Sequence, residues 1–158
     1  MRRIILGFLV CCLCGCAQKS RTTAAASELK GAEQMSLGNF SVSLAVKDLA
    51  KSREFYEKLG FHAITPPDQQ NWAIMQNDTA TIGLFQGMFE KNIMTFNPGW
   101  DRESNTLPEF QNVRELQARF KAQGIALTLE TDPDGTGIGS LMLEDPDGNQ
   151  ILIDQHVP

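Results

Sequence analysis

The sequence predicts an α+β fold built from two βαβββ modules. Two capped amphipathic helices, their shared 64-residue offset and the strand-like runs around each of them carry that expectation. The first helix is expected from Leu49 to Leu59. Asp48 can accept from its free N-terminal amides, and Gly60 can end it in the left-handed conformation. Leu49, Ser52, Tyr56 and Leu59 share one face, with Phe55 beside it. The second helix is expected from Val113 to Gln123. Asn112 caps it, Glu115 stands at the reciprocal capping position, and Gly124 stops it. Val113, Leu116 and Phe120 form its apolar stripe. Asp48 and Asn112 lie 64 residues apart, as do Gly60 and Gly124.

The strands follow in order. Residues 40–46 precede the first helix, and 61–65, 72–76 and 79–85 follow it. Residues 93–96 precede the second helix, and 125–130, 140–143 and 150–155 follow it. Asn77-Asp78 can join two antiparallel strands. Asp147-Gly148 supplies the positive φ of a tight hairpin. Asp134 to Gly139 carries three glycines but opens no helix, so it is a poor phosphate cradle and is read as a flexible hairpin connection.

Three segments carry a family resemblance: Ser43 to Leu49, Phe55 to Phe61, and the turn Asp145-Pro146-Asp147-Gly148-Asn149 with the strand it enters. Together they resemble the vicinal oxygen chelate superfamily of glyoxalase I, extradiol dioxygenases and the bleomycin and fosfomycin resistance proteins. The resemblance implies that the modules form a cup, here over residues 37–158. In metal-dependent members the cup holds a divalent ion with open positions. It also implies where the ligands should fall. The first-strand His or Gln falls on Ser41. The carboxylate closing the first module falls on Gly83 or its neighbour Thr81. The His opening the second module falls on Asn92 or Ile93, and the final carboxylate on Leu152. None of these is a strong divalent ligand. The expectation is therefore a cup with no cofactor, with metal left only to displaced residues such as Glu109, Asp154 or His156.

Strand alternation indicates what lines such a cup. The inward set is Asn39, Ser41 and Ser43, then Thr81, Gly83 and Phe85, then Gln150, Leu152 and Asp154. Ser41, Ser43, Thr81, Phe85, Gln150 and Asp154 are the ligand-binding candidates. Trp100 joins them, because Pro98-Gly99 places it on a turn from which it can cover the cup or pack beneath the loop. Asp154, the one inward carboxylate, is the candidate general base. His62 and His156 read as surface or chain-end residues, Trp72 as core or rim. Met88-Phe89 marks the linker between modules. Whether the two modules of one chain close one cup or exchange with a second chain to give a homodimer stays open, since both occur in the resembled family.

The front of the chain carries a different message. Arg2 and Arg3 precede an apolar run from Ile4 to Leu13, too short to span a bilayer. Leu13-Cys14-Gly15-Cys16 resembles a bacterial lipobox, which implies cleavage after residue 15 and lipidation of Cys16. Residues 16–36 read as a polar tether. Ala17, in place of an aspartate, favours the outer membrane, with the domain facing the periplasm. All four cysteines lie within the first sixteen residues, so the body has neither disulfide nor thiol chemistry. Loss of Arg2 and Arg3 takes the formal charge from −5 to −7. No basic stripe remains, which argues against nucleic acid. Three functions fit: a metal-free module that binds a small organic molecule, a lyase, isomerase or dioxygenase with displaced metal ligands, and a structural envelope protein.

Overall fold

The computed structural model describes residues 35–158. The expected lipobox with Cys16, and the expected tether as far as residue 34, lie outside them. The elements are β1 (Asn39–Val46), α1 (Leu49–Lys58), β2 (His62–Ala63), β3 (Trp72–Gln76), β4 (Thr81–Gln86), β5 (Ile93–Asn97), α2 (Val113–Ala122), β6 (Leu127–Leu129), β7 (Gly139–Glu144) and β8 (Gln150–Gln155). All eight strands form one sheet in the order β2-β3-β4-β1-β5-β8-β7-β6. β1 runs parallel to β4, as β5 does to β8, while β1 and β5 pair antiparallel. The two βαβββ modules thus join edge to edge within this chain, with Ser41 opposite Thr95 at the seam.

The helices form where their caps require. The Asp48 carboxylate accepts from Lys51 N at 3.0 Å, and the Asn112–Glu115 capping box is complete. Gly60 and Gly124 follow the two helices at φ +86° and +76°, a conformation that costs a residue with a Cβ more. The hairpin before β8 is held by one carboxylate. Asp145 accepts from the amides of Asp147 and Asn149 at 2.9 and 2.8 Å, and from Asn149 Nδ2 at 2.7 Å. Its side-chain bond to Asn149 is the first reason its pKa is lowered.

Three strands differ from expectation by more than one residue at an end. β2 stops at Ala63 because Pro66 and Pro67 follow and cannot donate to a ladder. β4 begins at Thr81 because Asn77 Oδ1 takes the amides of Thr79 and Ala80 into a turn. β6 is confined to Leu127–Leu129, with a register shift against β7. The Asp134–Gly139 connection is also less free than its glycines suggest. Arg114 of α2 donates to the Asp132 and Gly137 carbonyls at 2.9 and 2.8 Å, and Gln155 Nε2 also donates to Gly137 O.

Period-two alternation sorts the sheet into two faces. One face carries the cores. Val113, Leu116 and Phe120 of α2 pack with Leu141, Leu143 and Ile153, and Met35 and Leu37 lie against that cluster. Under α1 the core is smaller: Ala73, Met75 and Leu84, with Tyr56, Leu44 and Val46 partly buried beside them. The opposite face lines a cavity. Among the described residues, no helix is long and apolar enough to cross a membrane.

Candidate functional site

The cavity has a volume of about 560 Å³ and draws its lining from both modules. The first module supplies an aromatic wall. Trp72 of β3 stands opposite Phe85 of β4 in the ladder, so their rings stack at 6.4 Å and 14°. Phe89, just after β4, tilts against Phe85 at 5.2 Å. Gly83 makes this arrangement fit. A Cβ there would lie 2.3 Å from the Phe85 ring and 3.3 Å from Ile74 Cδ1.

The second module supplies the polar end. Asp154 and His156 share one face of the chain as it leaves β8. His156 Nε2 lies 3.0 Å from Asp154 Oδ2. Trp100 covers the imidazole, with ring centres 4.6 Å apart and planes within 12°. The hydrogen bond to Asp154 holds the His156 pKa above its ordinary value, against the opposing effect of partial burial. Next to this pair, Ser43 and Thr95 join their hydroxyls at 2.9 Å across the β1–β5 seam. Asn97 Nδ2 donates to the Asp154 carbonyl at 3.0 Å, which leaves the carboxylate to His156.

Trp100 belongs to a braced loop after β5. Asp101 accepts from Asn105 N and Nδ2, Leu107 N donates to Gly99 O at 2.8 Å, and Ser104 adopts φ +63°. The loop is tied to the other module. The Arg102 guanidinium donates to the Asn77 and Asp78 carbonyls of the β3–β4 turn, and Gln76 Nε2 donates to Arg102 O at 2.7 Å.

Of the residues singled out from sequence, Ser43, Thr81, Phe85, Trp100 and Asp154 line this one cavity, as do Asn39 and Leu152. Two candidates do not. Gln150, at the start of β8 and opposite the lining residue Ile93, is not among the lining side chains. Ser41 keeps the parity of Asn39 and Ser43 but is not among the lining side chains, and nothing in the structure explains why. Four residues read otherwise turn inward. His156 is no frayed end, Trp72 faces the cavity from the ladder, and Met88 and Phe89 line it rather than merely linking modules. Extending the parity of Leu152 and Asp154 by two residues would have found His156.

The donor set does not fit the metal of the resembled family. At position 83 the Phe85 ring occupies the space a ligating side chain would need. Asn92 Oδ1 accepts from Ala45 N, and Leu152 has no donor. Glu109 is exposed and outside the lining. Asp154 and His156 are bonded to each other, and the described residues contain no group of three His, Cys, Asp or Glu able to hold an ion.

Comparison with known proteins agrees with the architecture. The family model of the Glyoxalase/Bleomycin resistance protein/Dioxygenase superfamily matches residues 39–153. The structure is similar to that of NAD-dependent benzaldehyde dehydrogenase from Legionella pneumophila, with TM-score 0.57, 21% identity, and coverage of 75% of this chain and 99% of that one. It is also similar to a glyoxalase/bleomycin resistance protein/dioxygenase superfamily member from Vibrio splendidus 12B01, with TM-score 0.50, 18% identity, and coverage of 74% and 97%. At such identities the likeness carries the fold alone. No curated protein gives a significant match. The chain belongs to the glyoxalase/bleomycin resistance/dioxygenase superfamily.

Proposed function

We propose that this superfamily member is a small-molecule binding domain that holds an organic ligand in its cavity without a metal. One observation carries the reading. Where the resemblance puts the first-module ligand, at Gly83 or its neighbour Thr81, neither residue is a carboxylate, and the Phe85 ring fills the space beside Gly83. A hollow of about 560 Å³, walled by Trp72, Phe85, Phe89 and Trp100 and polar at one end, has the size and chemistry of a drug-sized ligand pocket. Aromatic faces supply apolar area and stacking. The hydroxyl pair and the Asp154–His156 pair orient the ligand.

The lipobox extends the proposal to location. Lipidation at Cys16 would hold the domain at the bacterial envelope, since several acyl chains on one residue anchor stably where one is marginal. In that setting the domain sequesters or carries its ligand in the periplasm. Replacing Cys16 with Ser should move the chain out of the membrane fraction.

Native mass spectrometry and elemental analysis of the purified chain test the binding reading together. The expected result is one organic molecule per chain, retained when chelator removes any metal. A stoichiometric divalent ion whose removal abolishes ligand retention would sink the proposal.

A further inference from the structure

Among the described residues, the cavity lining contains only two titratable side chains, Asp154 and His156. Neither Lys nor Arg contributes to it. Arg102, on the loop that carries Trp100, has its guanidinium turned onto the Asn77 and Asp78 carbonyls. An anionic ligand would therefore meet no cation except His156, whose charge Asp154 already balances. A neutral ligand filling the hollow would strip water from the Asp154 carboxylate and offer nothing in return. A cationic ligand would do the reverse. It would replace the lost water with a counter-charge and present that charge to the negative faces of Trp72, Phe85 and Trp100.

We propose that the ligand is an apolar organic cation, seated among these aromatic rings and paired with the Asp154 carboxylate in place of His156. This rests on the reading of the cavity as a ligand site. His156 then acts as an internal stand-in. While protonated it occupies the carboxylate, and when neutral it leaves the carboxylate's charge to the ligand. From the Trp100 loop, Asp101 is clasped by Asn105; from β5 comes the neutral Asn97; from β7, Ser140 stands opposite Asp154. Competition for one carboxylate sets the sign. Cation affinity rises as pH climbs through the His156 pKa, which Asp154 holds above the ordinary histidine value.

Three naphthalene probes of one shape test this on the full chain by equilibrium dialysis. They are naphthylmethyl-trimethylammonium, its uncharged isostere neopentylnaphthalene, and naphthylmethanesulfonate. The quaternary ammonium carries no titrating proton, so any pH dependence belongs to the protein. Near pH 8 the cation should bind at least about tenfold tighter than the isostere, and the sulfonate weakest. The cation's advantage should shrink toward pH 5. His156→Gln should flatten that dependence. Asp154→Asn should erase the preference while still binding the isostere, which also shows that the variant is folded. Equal binding of cation and isostere, tighter binding of the sulfonate, or a pH-independent cation affinity overturns the proposal and leaves the binding function standing. Failure of all three probes removes both.

Discussion

The two modules share one plan and put their apolar side chains to different use. α2 buries Val113, Leu116, Gln117 and Phe120, whereas α1 buries no residue at all. Phe55 on α1 and Leu59 at its C-terminal cap remain 56% and 57% exposed. The first module instead turns its large rings to the cavity: Trp72, Phe85 and Phe89. A repeat constrains both halves to the same backbone. The face on which each half places its bulk is free to diverge. Here the second module carries most of the fold's core, and the first provides most of the ligand wall.

That contrast predicts unequal responses to truncation of a large apolar side chain on each helix. Leu116→Ala should destabilise the chain by about 2–5 kcal/mol in denaturant unfolding, because the side chain is fully buried between α2 and β7–β8. Phe55→Ala on α1 should cost less than about 1 kcal/mol, because little area is lost from the folded state. Similar costs at the two positions would break the comparison.

Gln117 sharpens it by polarity. Its side chain donates to Thr131 O at 2.9 Å and accepts from Thr131 N at 2.8 Å, all buried. Gln117→Ala should cost about 1–3 kcal/mol, because both backbone groups lose their partner away from water. The matching position on α1 is Arg53, which pairs with Glu57 in the open; Arg53→Ala should cost at most about 0.5 kcal/mol. Thermal unfolding of the two variants decides the point.

Much of this plan was readable in the sequence, because the signals were local. Caps, glycine stops and alternation placed both helices within a residue and β3 and β8 at their observed bounds. The parity of Ser43, Thr81, Phe85 and Asp154 placed them on the cavity face. What was not readable depends on contacts distant in sequence. The stack of Trp100 on His156 is made by a loop carried across the hollow, and no local pattern marks it, although the parity of Leu152 and Asp154 runs on to His156 itself. Trp72 next to an apolar strand reads as core until the ladder sets it opposite Phe85.

The loop that carries Trp100 also joins the halves, and Arg102 is its tether. The guanidinium reaches two carbonyls of the first module's β3–β4 turn, while its buried Nε makes no hydrogen bond. Arg102→Ala should cost only about 1–2 kcal/mol, within the usual worth of hydrogen bonds from a charged donor. Its larger signature is kinetic. With the tether gone, bound ligand should leave faster, with the Trp100–His156 stack loosened. Stopped-flow displacement reads this directly, and an unchanged dissociation rate would show that the loop is held by its own bracing.

The smallest effect lies at the polar end of the cavity and follows from the sign of one shift. Asp154 raises the His156 pKa in the folded chain. A group whose folded pKa exceeds its unfolded value contributes stability below the unfolded pKa and loses it as pH rises through the folded one. The contribution should therefore be complete in mild acid, below the ordinary histidine pKa, and fade above neutrality. The His156 and Asp154 side chains are 45% and 30% exposed, so water screens the pair and the effect should stay below about 1 kcal/mol. Subtracting the unfolding curves of His156→Gln from those of the parent isolates it. The first module has no equivalent pair, because exposed His62 has no ion-pair partner among the described residues. A difference that grows with rising pH would reverse the sign and remove Asp154 as the partner that favours the imidazolium.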